Sequence, residues 1–329
     1  MIAVVIPSYR VKRHVLGVIE GMPSMVARIY VVDDCCPEQS GQFVQTHCAD
    51  PRVRVIFHTQ NQGVGGATLS GYKAAYEEGA KVVVKVDGDG QMDPALIPHF
   101  VEPILAGQAD YTKGNRFFDP RYLAVMPRIR LFGNLVLSFV SKLSSGYWDV
   151  MDPTNGYTAL AAQMYPLLSA ERIERRYFFE SDMLFRLGLA QAVVRDVPMR
   201  PIYGDETSSL SIRKTALEFP LKHLSRFCKR VAYQYFVRDF SIGSIQLVAG
   251  LVLLLFGLAF GLYKWYQLSG VAPATAGTVM LAGLPVIVGV QSLLSAIQFD
   301  ILRIPRIPVH PRLVRWQQQA PAPVAEPAS

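Results

Sequence analysis

The chain has 329 residues, half of them hydrophobic and 18% charged, with a formal net charge of +7. That composition excludes a disordered chain and fits one large domain with further elements attached. A basic balance suits nucleic acid, a membrane surface or a phosphorylated substrate, and the placement of the charges decides among them.

The opening stretch MIAVVIPSYR has no basic n-region, and its apolar run ends at Pro7. No secretory signal peptide is expected, so the body of the protein is expected in the cytoplasm. Cys35, Cys36, Cys48 and Cys228 show no metal-ligand spacing and are expected to be reduced and structural. Val- and Ile-rich runs at 2–7, 28–34, 53–57 and 81–87 predict strands, and 63–79 and 94–107 predict helices between or after them. Continuous apolar strands are buried on both faces, so the pattern predicts an α/β domain over residues 1–212 with a mostly parallel central sheet. Ligands in such sheets bind beyond the carboxyl ends of the strands. Pro7 to Tyr9, the pair Asp33 and Asp34, and Asp87 to Gln91 all fall at those ends.

The first connection, PSYR, lacks the glycines of a dinucleotide-binding fingerprint, and no P-loop signature is present. In GVGGATLSG two readings stand side by side. Gly63, Gly65 and Gly66 allow a tight turn into a helix, or they let backbone approach a nucleotide. The stretch DGDGQMDP says more. Asp87 and Asp89 stand two residues apart among glycines, and like charges that close call for a cation between them. Mg2+ or Mn2+ bridging a diphosphate is the natural partner, with a solvated acidic loop as the plain alternative. The closing glutamate of an EF-hand is missing.

Beyond the domain, residues 213–240 place Leu221, Leu224, Cys228, Val231 and Tyr235 at helical spacing, with Lys222, Arg226 and Lys229 on another face. This fits an amphipathic juxtamembrane helix on an anionic bilayer, or a solvated helix packed on the domain. Between Asp239 and Asp300 the only charged residue is Lys264. Apolar stretches at 242–263 and 275–299 each exceed the about 20 residues that cross a bilayer, which predicts a transmembrane hairpin over 241–302. Arginines and lysines flank it on both sides, so the catalytic domain and both termini are expected in the cytoplasm, on a multi-pass protein of the cytoplasmic membrane. Gly250, Gly257 and Gly261 permit close helix packing and leave a homo-oligomer open. Pro285 is expected to kink the second helix, and the tail over 303–329 reads as basic, then disordered. The basic residues cluster at the membrane flanks, so nucleic acid is not expected as a partner.

Seven stretches in order, VVIPSYR, VVDDCCPE, NQGVGGATLSGYKAA, DGDGQMDP, KGNRF, NGYTAL and YFFESDMLFRLG, span residues 2 to about 190. Together they resemble the family 2 glycosyltransferases of the GT-A fold, in the branch of dolichyl- and polyprenyl-phosphate sugar synthases. The resemblance implies an inverting, metal-dependent transfer from a UDP- or GDP-sugar to a polyprenyl phosphate. It implies that Pro7, Tyr9, Asp33 and Asp34 line the nucleoside pocket with Gly63 nearby, and that Asp87, Asp89 and Gln91 hold the metal and the donor diphosphate. It further implies that Arg116 contacts phosphate, that Arg128 and Arg130 meet the acceptor phosphate, and that Asp182 aligns with a family glutamate, with Glu180 two residues before it.

An acceptor phosphate is largely anionic at neutral pH and needs a cationic cradle more than a base. A sugar hydroxyl would instead need a general base, for which Asp182 or Glu180 is the candidate. Two acidic residues at a helix start also stabilise the helix with no chemistry at all. A hydroxyl acceptor on a lipid-linked saccharide, and a non-catalytic module that only binds a sugar nucleotide, are the rival readings.

Overall fold

In a computed structural model, residues 1–119, 121, 128–200 and 212–319 are described. Seven strands form one sheet: β1 (Ile2–Ser8), β2 (Val26–Asp33), β3 (Val53–Phe57), β4 (Val82–Lys85), β5 (Tyr111–Asn115), β6 (Thr158–Ala161) and β7 (Val194–Pro198). Their order is β3-β2-β1-β4-β6-β5-β7. All neighbours run parallel except across β6, which is antiparallel to both β4 and β5. The strands with the purest Val/Ile runs lie at the centre: Ala3 to Ile6 of β1 and Val82 to Val84 of β4 are at most 1% exposed. β-Branched side chains suit a surface buried on both faces, which is why these strands were legible and β5 to β7 were not.

The connecting helices are α1 (Val15–Glu20), α2 (Ser40–His47), α3 (Gly63–Glu77), α4 (Ile97–Leu105), α5 (Arg128–Ser145) and α6 (Phe179–Leu189). Helix α3 packs on β1 and β2, and α4 on β4, β5 and β6. The expected helix at 94–107 opens as a 3-10 turn, Pro94–Leu96, capped by the Asp93 carboxylate accepting from Ala95 N. Proline at the first helical position lacks a donor that the turn does not need.

Helix α7 (Ile212–Val231) continues as a π-helical turn, Ala232–Val237. Two compact units divide the chain, Met1–Arg226 with the residues from Pro305 onward, and Phe227–Ile304. In the first unit α7 does pack on the domain, but with its polar side inward. Lys222 reaches Glu174 at 3.1 Å, and His223 is 1% exposed beside Ser144 and the ring of Phe178, while Leu221 and Leu224 face outward, 70% and 57% exposed. Burial lowers the His223 pKa to about 4, reinforced by Arg226. Between the ordinary histidine value near ~6.5 and the lowered one, the unfolded chain takes the proton first, so the stabilisation present above that window is lost as pH falls through it. The melting temperature is expected to drop as pH goes from about 6.5 to about 4, by the equivalent of about 3 kcal/mol at most. Thermal denaturation across that range checks this, with a flatter profile expected for His223→Leu.

No element was expected between Arg303 and the tail, yet α10 (His310–Gln319) forms there and belongs to the first unit. Asp110, fully buried, accepts from the backbone N–H groups of Val309, His310 and Val193 and shares a 2.8 Å contact with His310 Nδ1. Burial alone would raise the Asp110 pKa, but these hydrogen bonds outweigh it and hold the carboxyl below the usual range. The tail was expected to be disordered from Gln317, yet α10 runs on to Gln319, and residues 320–329 lie outside the described residues.

The second unit contains α8 (Ile242–Leu268) and α9 (Ala276–Leu302), each 27 residues long and apolar enough to cross a membrane. Helix α9 runs through Pro285 as one continuous helix. Gly250 and Gly257 serve the contact between the two helices. A Cβ on either would lie within 3.0 Å of the Gly289 or Ala282 carbonyl. Asp300 at the end of α9 accepts from Arg230 at 2.8 and 3.0 Å and from the Tyr235 hydroxyl at 2.8 Å.

Candidate active site

Strands β1, β2 and β4 end together. Ser8 is the register partner of Asp33, Asp34 N donates to the Ser8 carbonyl, and Val5 is paired with Lys85. One sheet edge therefore carries Pro7, Tyr9, Asp33, Asp34 and the acidic turn after β4. Pro7 is buried in β1, and Tyr9 is 42% exposed with the Arg10 guanidinium over its ring.

Both aspartates of the second strand are committed inside the protein. Asp33 accepts from Cys36 N at 2.8 Å and Gly41 N at 2.6 Å, which satisfies the start of α2. Asp34 accepts from Gln62 N and Gly63 N at the start of α3, and lies 2.8 Å from His58 Nδ1, whose Nε2 meets Ser70 Oγ. The next amides of α3, Gly65 N and Gly66 N, both donate to the Arg175 carbonyl. The amides of Gln62, Gly63, Gly65 and Gly66 are thus taken by Asp34 and by the Arg175 carbonyl. Gly63, at φ +84°, has no room for a Cβ against the Arg175 carbonyl. The glycines admit the chain's own backbone.

The acidic turn is built on β4. Asp87 N donates to Met92 Sδ, Gln91 N donates to Asp89 Oδ1 at 2.9 Å, and the Tyr157 hydroxyl donates to the Asp93 carbonyl. Asp87 and Asp89 are both half-buried. Beneath them lies a lysine that sequence reasoning did not single out. Lys85 is 1% exposed, and its Nζ donates to Asp87 Oδ1 at 2.6 Å and to the Gly156 carbonyl at 3.2 Å. Glu180 Oε1 stands 3.6 Å from the same ammonium. Burial alone would lower the Lys85 pKa, but Asp87 and Glu180 outweigh it and raise it.

A second buried lysine lies across β6. Thr158 is the register partner of both Lys85 and Lys113, so the two ammonium groups rise on one face of the sheet. Lys113 donates to the Asn155 carbonyl. Burial lowers its pKa to about 8, against the attraction of Glu180 and Asp152. Burial likewise raises the Glu180 pKa, while the two lysines oppose the shift. A lysine inside the apolar run VVVKVD was the available signal for Lys85, since a strand buried on both faces has no cheap place for an ammonium.

Arg116, just past β5, makes a bidentate pair with Asp152, Nε to Oδ2 at 2.7 Å and a terminal nitrogen to Oδ1 at 2.9 Å. Asp152 is 1% exposed, and this partner was also missed. Fork geometry of this kind holds the guanidinium plane in one orientation. The two acids of α6 separate cleanly. Asp182 is fully buried, accepts from Glu174 N at 2.8 Å and pairs with Arg226 Nε at 2.6 Å. Glu180 faces Lys85 instead. Arg128 and Arg130 open α5, and their side chains lie outside the described residues.

Among the described residues, no group of three or more His, Cys, Asp or Glu is placed to enclose a metal. The chemistry of the donor set nevertheless fits a hard divalent ion. Such an ion takes one or two carboxylates and fills its shell with water and substrate phosphate oxygens, and the turn offers two carboxylates at the sheet edge.

The family profile described as glycosyl transferase family 2 matches residues 3–165. The chain is 30% identical over 219 residues to the UDP-N-acetylglucosamine–dolichyl-phosphate N-acetylglucosaminyltransferase of Methanococcus voltae, covering 62% of this chain and 87% of that protein. It is 30% identical over 173 residues to the undecaprenyl-phosphate mannosyltransferase of Micrococcus luteus, covering 52% of this chain and 70% of that one. Among solved structures, the glucosyl-3-phosphoglycerate synthase of Mycobacterium tuberculosis, in complex with Mn2+, UDP and phosphoglyceric acid, superposes with a TM-score of 0.52. The match has 17% identity and covers 70% of this chain and 78% of that one. At that identity the likeness shows a shared GT-A fold.

Proposed function

The chain belongs to glycosyl transferase family 2, and from that premise we propose that it moves a sugar from a UDP- or GDP-sugar to the phosphate of a polyprenyl lipid at the cytoplasmic face of a membrane. The observation that carries the reading is the paired-carboxylate turn, Asp87 and Asp89, at the carboxyl edge of β4. Relatives whose names specify dolichyl phosphate and undecaprenyl phosphate support the acceptor class. The two membrane-length helices support it too, since the reactive phosphate of such a lipid lies at a bilayer surface.

In this reading an oxygen of the acceptor phosphate attacks the anomeric carbon. The bond from that carbon to the donor diphosphate breaks, its electron pair leaves with the diphosphate, and the configuration inverts. Asp87 and Asp89 would hold Mg2+ or Mn2+, with Gln91 on the same turn. The bound ion would supply positive charge to the leaving group. Complexes of the Mycobacterium tuberculosis synthase with Mn2+ and UDP support that choice of ion. Arg116, held in one orientation by Asp152, would contact phosphate. The acceptor is already an anion and asks for no general base. Asp182 is engaged with Arg226, and Glu180 serves as counter-charge to Lys85. Packing of residues 305–319 in the catalytic unit supports a hairpin whose two ends leave on the same side of the membrane.

Membranes containing the protein, incubated with labelled nucleotide sugars, are expected to yield an organic-soluble product that mild acid releases. A product that survives mild acid would be a glycoside of a hydroxyl and would reject the phosphate acceptor.

A further inference from the structure

Lys85 is the last residue of β4, whose other residues are valines, and it is 1% exposed. Burying an ammonium is costly unless it is paired, and a buried ion pair is a poor source of stability, so its retention calls for another reason. Its three oxygen partners come from three separate segments: Asp87 Oδ1 from the acidic turn, the Gly156 carbonyl from the approach to β6, and Glu180 Oε1 from α6. The contact is close on every side. A Cβ at Gly156 would lie 2.6 Å from Lys85 Nζ and 2.8 Å from Asp87 Oδ2. The turn before β6 is held from its other flank by Lys113 on Asn155 and by the Arg116–Asp152 pair, so it is a rigid abutment.

We propose that Lys85 is a positioning residue of the donor site: its buried ammonium locks one oxygen of Asp87 against the Gly156 carbonyl and Glu180, and so fixes the orientation in which Asp87 meets a divalent ion. The inference rests on the proposed function, because the ion and the nucleotide belong to that reading. Without the ammonium, the Asp87 carboxylate turns about its own side-chain bonds, and ion binding must then carry the cost of ordering it. Partners that orient a metal-binding side chain are typically worth 10- to 100-fold in affinity.

The test uses the full chain in detergent, with Mn2+ titrated calorimetrically in the presence of UDP and, separately, of GDP. Lys85→Met is expected to weaken Mn2+ binding by about 10- to 100-fold, with nucleotide affinity in EDTA equal to that of the unaltered protein. That split separates positioning from general damage, which would lower both. If Lys85→Met does not fold, Gly156→Ala carries the test. It keeps the charge, crowds the ammonium and the carboxylate apart, and is expected to show the same selective loss. Folded variants that bind Mn2+ as tightly as the unaltered chain overturn the inference. An unaltered chain that binds neither nucleotide with Mn2+ sinks the proposed function, and this inference with it.

Discussion

Asp89→Ala is expected to lower sugar transfer by about a hundred- to a thousandfold, because losing the ion's carboxylate ligand weakens charge stabilisation on the leaving group by an amount comparable to losing one oxyanion-hole donor. Asp89 accepts from Gln91 N on a turn that Met92, Tyr157 and Lys85 also brace through Asp87 and Asp93. The variant should therefore fold, and its loss should appear in turnover at saturating donor. Asp87→Asn should match it in rate. Initial rates with labelled donor, paired with a thermal melt of each variant, check both statements. A fully active Asp89→Ala protein would remove the turn from the chemistry.

The second large effect falls on stability. Asp182 is fully buried and holds both Arg226 and the Glu174 amide. Removing one partner of a buried pair leaves the other charge uncompensated, at a cost of about 3–5 kcal/mol. Asp182→Ala should unfold at markedly lower denaturant, while the folded fraction keeps its turnover. Chemical denaturation and rates normalised to folded protein separate the two. If Asp182→Ala were stable but inactive, the acid would belong to catalysis, as its place in the sequence motif suggested.

How legible was this in the residues? Strands β1 to β4 announce themselves because Val and Ile runs leave few alternatives in a sheet buried on both faces. Strand β5, YTKGN, and strand β7, VRDVP, carry lysine, aspartate and proline, so no apolar run marks them. Tertiary pairing makes them strands. The edge on which Tyr9, Asp34 and Asp87 gather followed from parallel topology. The division of labour among the acids did not. Asp33, Asp34 and Asp182 read as site carboxylates in the sequence, and the structure adds internal partners for each, helix starts for the first two and an arginine for the third. Spacing reveals which charges share an edge, but a charge's partner can come from a segment more than a hundred residues away, as Gln62 does for Arg175, or from the turn before β6 and from α6, as for Lys85. The outward-facing leucines of α7 have the same origin, since only the fold shows that Lys222, His223 and Arg226 turn inward.

A divalent ion held by the turn after β4 is proposed to act during transfer to a lipid phosphate. The most direct measurement is transfer by the purified chain to undecaprenyl phosphate from a panel of UDP- and GDP-sugars, first in EDTA and then with Mg2+ or Mn2+ restored. One donor should give an acid-labile lipid product, chelation should stop it, and either ion should bring it back. Undiminished transfer in EDTA would contradict the account.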